Sequence, residues 1–182
     1  MTIPAEDRSR LVALARAAVE AQVSGRARPE PGALDGVLGE VRGCFVTLTN
    51  QEQLRGCIGT FNPTEPLGTV VVEMGAAAAR DPRFVTRPIT PQEVPQLDVQ
   101  VSVLSPLEET KEPEKLQVGT HGIYVTNGYQ SGCFLPEVAT DQGWNAQQFL
   151  SYCCAHKAGL PPDAWRMLDT KVLLFTSEKF SE

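Results

Sequence analysis

The sequence predicts an α+β fold of mainly antiparallel sheets with helices packed against them, built from one hairpin–helix–strand unit used twice. Three observations carry this. Gly43-Cys44-Phe45-Val46-Thr47-Leu48-Thr49 and Leu54 to Phe61 are β-rich runs joined by a short polar turn, the pattern of a hairpin. A second pair, His121-Gly122-Ile123-Tyr124-Val125-Thr126 and Gly132-Cys133-Phe134, repeats that layout around a turn at Asn127 to Ser131. After each pair comes a segment of helical period and then a strand, and strands that arrive in hairpins pair antiparallel.

In chain order, Asp7 to Val23 reads as a helix, with Leu11, Leu14, Ala15, Ala18 and Val19 at helical spacing and Gly25 as its stop. Asp7 or Ser9 is its candidate cap. Arg26 to Gly39 is rich in proline and glycine and reads as an ordered arm, because Leu34, Val37 and Leu38 give it something to bury. The first hairpin follows. Pro66 suits a helix start with Thr64 as cap, and that helix runs through Val70, Val71, Met74 and Ala77 to about Arg80. Asp81-Pro82 ends it, since a residue before proline is pushed out of helical geometry. Thr90 to Glu93 reads as one helical turn and Leu97 to Ser105 as a strand, with apolar residues alternating along it. Glu108 to Glu114 reads as a charged, solvated loop. Beyond the second hairpin, Asn145 to Lys157 is a helix, Pro161-Pro162 opens a short turn through Trp165 and Leu168, and Lys171 to Thr176 is the closing strand, matching Val99 to Leu104.

The chain has 182 residues, enough for one domain with a proper core, so residues 1–182 read as a single domain. A net charge of −6 argues against nucleic-acid binding, which calls for a basic face. No run of 18 or more apolar residues spans a membrane, and the first ten residues lack the apolar core of a signal peptide, so a cytoplasmic location is expected. Five cysteines without a CxxC pair are expected to be free thiols.

Chemistry concentrates in Leu54-Arg55-Gly56-Cys57-Ile58-Gly59. Glycines weaken a strand interior, so two of them mark a bulge or a close backbone approach. Cys57 has two readings: a thiol activated by Arg55 if both point into one cleft, or a buried, inert strand residue. Arg55 is either an anion receptor, helped by the amides of Gly56 and Gly59, or the partner of Asp81 or Glu137 in an ion pair. Asp81 and Arg83 flank a proline at a helix end, where they either pair locally or join the site. His121 is a candidate general base or a loop histidine satisfied by backbone. Glu137, after Pro136, is a candidate acid–base group or one half of a salt bridge. A metal on Cys57, Cys133 and His121 is conceivable, but no spacing matches the short ligand pairs of zinc sites, so neither metal nor cofactor is expected.

These stretches resemble the AMMECR domain family, over about Arg8 to Phe180. Leu54 to Gly59 reads as the family's signature hexapeptide. Gly43-Cys44-Phe45-Val46-Thr47-Leu48, Asp81-Pro82-Arg83-Phe84, Val101-Ser102-Val103-Leu104, Gly119-Thr120-His121-Gly122-Ile123, Leu135-Pro136-Glu137-Val138-Ala139 and Lys157-Ala158-Gly159-Leu160 match in order and spacing. Val85-Thr86-Arg87 departs locally, where the next proline is expected sooner. The resemblance implies an α+β fold with an internal repeat and a larger and a smaller lobe around a cleft. Prokaryotic members are known as AmmeMemoRadiSam system protein A, which implies a dioxygenase-like Memo protein and a radical-SAM protein as partners. It brings no settled activity. The sequence therefore leaves two functions open: a cleft that binds a small anionic metabolite, with Cys57, His121 and Glu137 at its chemistry, or a non-catalytic adaptor.

Overall fold

A computed structural model describes residues 2–182, and its fold is the α+β class expected. Two compact units divide the chain. The first runs to Leu104 and is completed by Glu178–Glu182; the second is Ser105–Ser177.

In the first unit, helix α1 (Ala5–Val23) is followed by strands β1 (Cys44–Asn50) and β2 (Gln53–Thr60), helix α2 (Leu67–Ala78) and strand β3 (Asp98–Leu104). Strand β8 (Ser177–Ser181) completes a four-stranded sheet in the order β2-β1-β3-β8, with β1 antiparallel to both β2 and β3. Alternation decides which face is buried: Cys44, Val46 and Leu48 of β1 and Val99, Val101 and Val103 of β3 point at the helices. Leu11, Ala15 and Val19 of α1, with Leu67, Val70 and Val71 of α2, fill that side. The two helices pack closely because α2 presents Gly75 to the backbone of Ala15, where a Cβ would lie 2.9 Å from the carbonyl oxygen. Asp7 does not cap α1. It is buried and accepts from the backbone of Val37, tying the Gly36–Gly39 turn to the helix.

The second unit holds β4 (Glu108–Thr110), β5 (Gly122–Thr126), β6 (Ser131–Phe134), the short helix α3 (Pro136–Gln142), α4 (Ala146–Cys153) and β7 (Lys171–Phe175). Its sheet has the order β4-β7-β5-β6, again antiparallel at each pair. Helix α4 opens on a capping box between Asn145 and Gln148 and runs into a π-helical turn at Cys154–Ala158. Phe149, Leu150 and Cys153 bury against Ile123, Val125, Phe134 and Val172.

The two sheets match strand for strand. Each places its hairpin at one edge (β2-β1, β6-β5), its third strand beside the hairpin's first (β3, β7) and a fourth outside (β8, β4). The fourth strands are exchanged in sequence: β4 directly follows β3 yet joins the second sheet, and β8 directly follows β7 yet joins the first. This corrects the reading of Glu108 to Glu114 as a solvated loop. Glu108 to Thr110 pairs with Leu174 to Val172, and Glu109 meets Lys171 across the ladder at 3.4 Å. The sequence reading also passed over α3 and β8. No helix among the described residues is long and apolar enough to cross a membrane.

Candidate functional site

The segment Leu54–Gly59 forms the edge strand β2, and its register slips between Leu48 and Thr49. Leu48 pairs with Gly56 and Thr49 with Leu54, so Arg55 is the extra residue of a β-bulge. In an unbroken strand Arg55 and Cys57 would share a face. With the bulge, their side chains go to different neighbours.

Arg55 is buried. Its Nε and Nη2 donate to the Glu93 carboxylate at 2.5 and 3.0 Å, and Nη2 also donates to the Arg87 carbonyl at 2.9 Å. The Asn50 amide donates to the same carboxylate at 3.2 Å. The guanidinium holds the Glu93 carboxyl below its ordinary value against the opposing effect of burial, with the Asn50 bond adding to it. Arg55 is thus not an open anion receptor: its fork is filled. Neither expected partner, Asp81 nor Glu137, holds it.

Asp81 takes up the open edge of β2 instead. Its carboxylate accepts the Cys57 N–H at 2.9 Å, the Arg83 N–H at 3.0 Å, and Arg83 Nε and Nη2 at 3.0 and 2.6 Å. Arg83 Nη2 in turn donates to the Cys57 carbonyl at 3.2 Å. One acceptor and one donor from the Asp-Pro-Arg turn therefore stand where a neighbouring strand's backbone would bond Cys57. The Arg83 guanidinium, then the two amides, hold the Asp81 carboxyl well below the usual carboxylate range although burial opposes this. The side chain of Asp81 is 1% exposed and that of Arg83 is 57% exposed. Asp81 is a structural anchor; Arg83 keeps a solvent-facing side.

The two glycines serve packing. A Cβ on Gly56 would lie 2.1 Å from the carbonyl oxygen of Ala78, so α2's last turn rests directly on the strand. A Cβ on Gly59 would lie 2.3 Å from the Phe45 ring, which covers the glycine from the partner strand. Both were expected to flank an anion with open amides, and their Cα faces are filled by protein. Cys57 faces Thr47 across the ladder, with Sγ and the hydroxyl 3.2 Å apart, on the side of the sheet away from the helices.

Arg55, Gly56, Cys57, Gly59, Asp81 and Arg83 all belong to the first unit, whereas His121 and Glu137 belong to the second. His121 Nδ1 accepts the Gln117 N–H at 3.0 Å, the backbone-satisfied arrangement, which places the neutral ring's proton on Nε2. Glu137 is half-buried in the first turn of α3, where the helix dipole favours a carboxylate. Among the described residues no group of three or more His, Cys, Asp or Glu side chains is placed to hold a metal ion.

Beside the bulge a groove of about 650 Å3 opens, walled by Arg55, Ile58, Ala77, Ala79, Asp81, Pro82, Phe84, Val85, Pro88 and Ile89, with Arg80 also lining it. Arg55 and Arg83 both approach the Phe84 ring, at 5.9 and 5.7 Å from its centroid. The guanidinium of Arg80 has no hydrogen bond or ion pair among the described residues. Sequence reasoning missed Glu93, Arg80 and the apolar walls. A glutamate ending a Thr-Pro-Gln-Glu turn is the only local signal for the first, and nothing in it points 38 residues back to Arg55.

The AMMECR1 family model matches residues 12–180. A protein of Thermococcus gammatolerans is 43% identical, covering 94% of this chain and 88% of its own length. One from Methanothermobacter thermautotrophicus is 41% identical, covering 94% and 92%. The crystal structure of the uncharacterized protein PH0010 from Pyrococcus horikoshii superposes with a TM-score of 0.86 at 40% identity, over 99% of this chain and 93% of that one. These likenesses place the chain in one family: it belongs to the AMMECR1 family.

Proposed function

We propose that the chain binds a small anionic ligand in the groove beside Leu54–Gly59, and acts with the Memo-like dioxygenase-fold and radical-SAM proteins that the family resemblance implies. One observation carries the reading. Every other charge lining the groove is neutralised from within, Arg55 by Glu93 and Asp81 by Arg83, while Arg80 stands unmatched. An unmatched cation at a concave surface of a protein with net charge −6 marks a local reversal of field that draws anions. The reading needs no catalytic step from Cys57, His121 or Glu137.

Titration of 15N-labelled protein with acetate, inorganic phosphate and citrate tests this. The expected result is saturable movement of the Ile58, Ala79 and Val85 amide resonances, reduced in Arg80→Gln. A second reading, an adaptor that holds a partner protein, is favoured by Val85, which is 77% exposed at the groove. It gains if no anion moves those amides.

A further inference from the structure

The lining of the groove narrows the kind of anion it suits, an inference that rests on the reading above. With its internal charges cancelled, the groove offers a ligand two things. One is the apolar lining of Ile58, Ala77, Ala79, Phe84, Pro88 and Ile89; the other is the guanidinium of Arg80, the one lining cation with no partner among the described residues. A compact polyanion would leave the apolar walls wet, and one fork cannot neutralise it. A neutral apolar molecule would cover the walls and leave the fork without a partner. A carboxylate on an apolar body satisfies both, because the planar fork matches a carboxylate bidentately and the body displaces water from the walls.

We infer that the groove takes an amphiphilic monocarboxylate, an acyl chain or aromatic ring of medium size, with its carboxylate on Arg80 and its body along Ala77, Phe84 and Ile89. A volume of about 650 Å3 lies in the range of such sites. Val85, exposed at the groove, is apolar surface that the body covers. An acidic peptide with one apolar anchor shares this chemistry, but a single unmatched cation favours a single carboxylate.

The probes are octanoate, acetate, 1-octanol and inorganic phosphate, followed by calorimetry and by the amide resonances of Ile58, Ala79, Val85 and Ile89. Octanoate is expected to bind more tightly than acetate, each methylene that is buried adding roughly fourfold. Arg80→Gln is expected to weaken octanoate roughly three- to fivefold, as for an exposed charge pair, and to leave octanol unchanged. Val85→Glu alters an exposed side chain, so the fold persists; it should weaken octanoate by repulsion and spare octanol. Octanol binding as tightly as octanoate overturns the inference. So does equal binding of acetate, phosphate and octanoate, which would leave the small-anion reading standing without the amphiphile. A short acidic peptide that moves the groove amides when octanoate does not would assign the groove to a macromolecule. Silence from every probe removes both readings.

Discussion

The two hairpins use the same Gly-Cys step for one shared purpose and then diverge. In the first, Gly56 lets β2 touch the end of α2; in the second, Gly132 lets β6 touch the π-helical turn that ends α4, where a Cβ would lie 2.3 Å from the Ala158 nitrogen. The cysteines that follow face the partner strands, Cys57 opposite Thr47 and Cys133 opposite Tyr124. All five thiols are free, and burial pushes that of Cys133 up to about 11, with Lys157 acting against the shift. What the second hairpin lacks is the preceding arginine. Ser131 stands there, with no bulge in its ladder, and among the described residues no side chain bonds the backbone of Cys133 as Asp81 and Arg83 bond that of Cys57. The shared glycine is therefore architecture, and the arginine with its bulge is what the first unit adds.

The comparison breaks most sharply at the glycines. Gly56→Ala and Gly132→Ala each drive a methyl group into backbone that cannot step aside, and each is expected to destabilise its unit by at least about 3 kcal/mol. Denaturant unfolding, followed by Trp165 fluorescence for the second unit and by amide resonances for the first, reads the two separately. If Gly132→Ala is tolerated and Gly56→Ala is not, the two steps are not equivalent and the repeat is only one of strand order.

The next effect belongs to the first unit alone. Arg55 and Glu93 form a pair with side chains 8% and 16% exposed, and removing one partner strands the other. Arg55→Leu or Glu93→Leu is expected to cost about 3 kcal/mol each, and the double variant clearly less than the sum. The pH dependence has a definite sign. A carboxyl whose pKa is lowered by folding contributes stability that is fully present above its unfolded value and is lost as pH falls through the folded one. Glu93 and Asp81 are both lowered, so the first unit should weaken as the medium falls below the ordinary carboxylate range, about pH 4, and keep weakening below it. Glu93→Leu should flatten the upper part of that loss. An acid limb unchanged by both this variant and Asp81→Asn would show that these contacts do not govern it.

How far the sequence reaches follows from how local each signal is. The hairpins were legible because β-branched residues, turn residues and partner lie within twenty positions. Strand β4 was not: two glutamates and a threonine become a strand only because Lys171–Phe175, some sixty positions on, supplies the ladder. The site divides in the same way. The hexapeptide announced a bulge or close approach at Gly56, and both are present there. Its chemistry did not follow, because the partner of Arg55 is set by the loop at Thr90–Glu93 and that of Cys57 by Asp81, which only the fold brings to the strand.

The smallest effect lies in the turns, and it separates strain from register. The second hairpin turns through Asn127-Gly128, with Gly128 at φ 89° and the Asn127 side chain accepting the N–H groups of Tyr129 and Gln130. The first turns through Gln51 and Glu52 at φ 48° and 64°, a left-handed pair with no glycine. Left-handed geometry opposes a Cβ, so Gln51-Glu52→Asn-Gly should stabilise the first unit by about 1 kcal/mol, which is roughly 2–4 °C in Tm for a chain of this size. The gain should leave the Arg55 bulge in place, since Asn50 still pairs with Gln53 and the buried Glu93 pair still draws the arginine out of the ladder. Amide resonances of Arg55 and Cys57 read this directly. If the better turn shifts them as it raises Tm, the bulge is set by turn strain and not by Glu93, and the first hairpin would relax toward the register of the second.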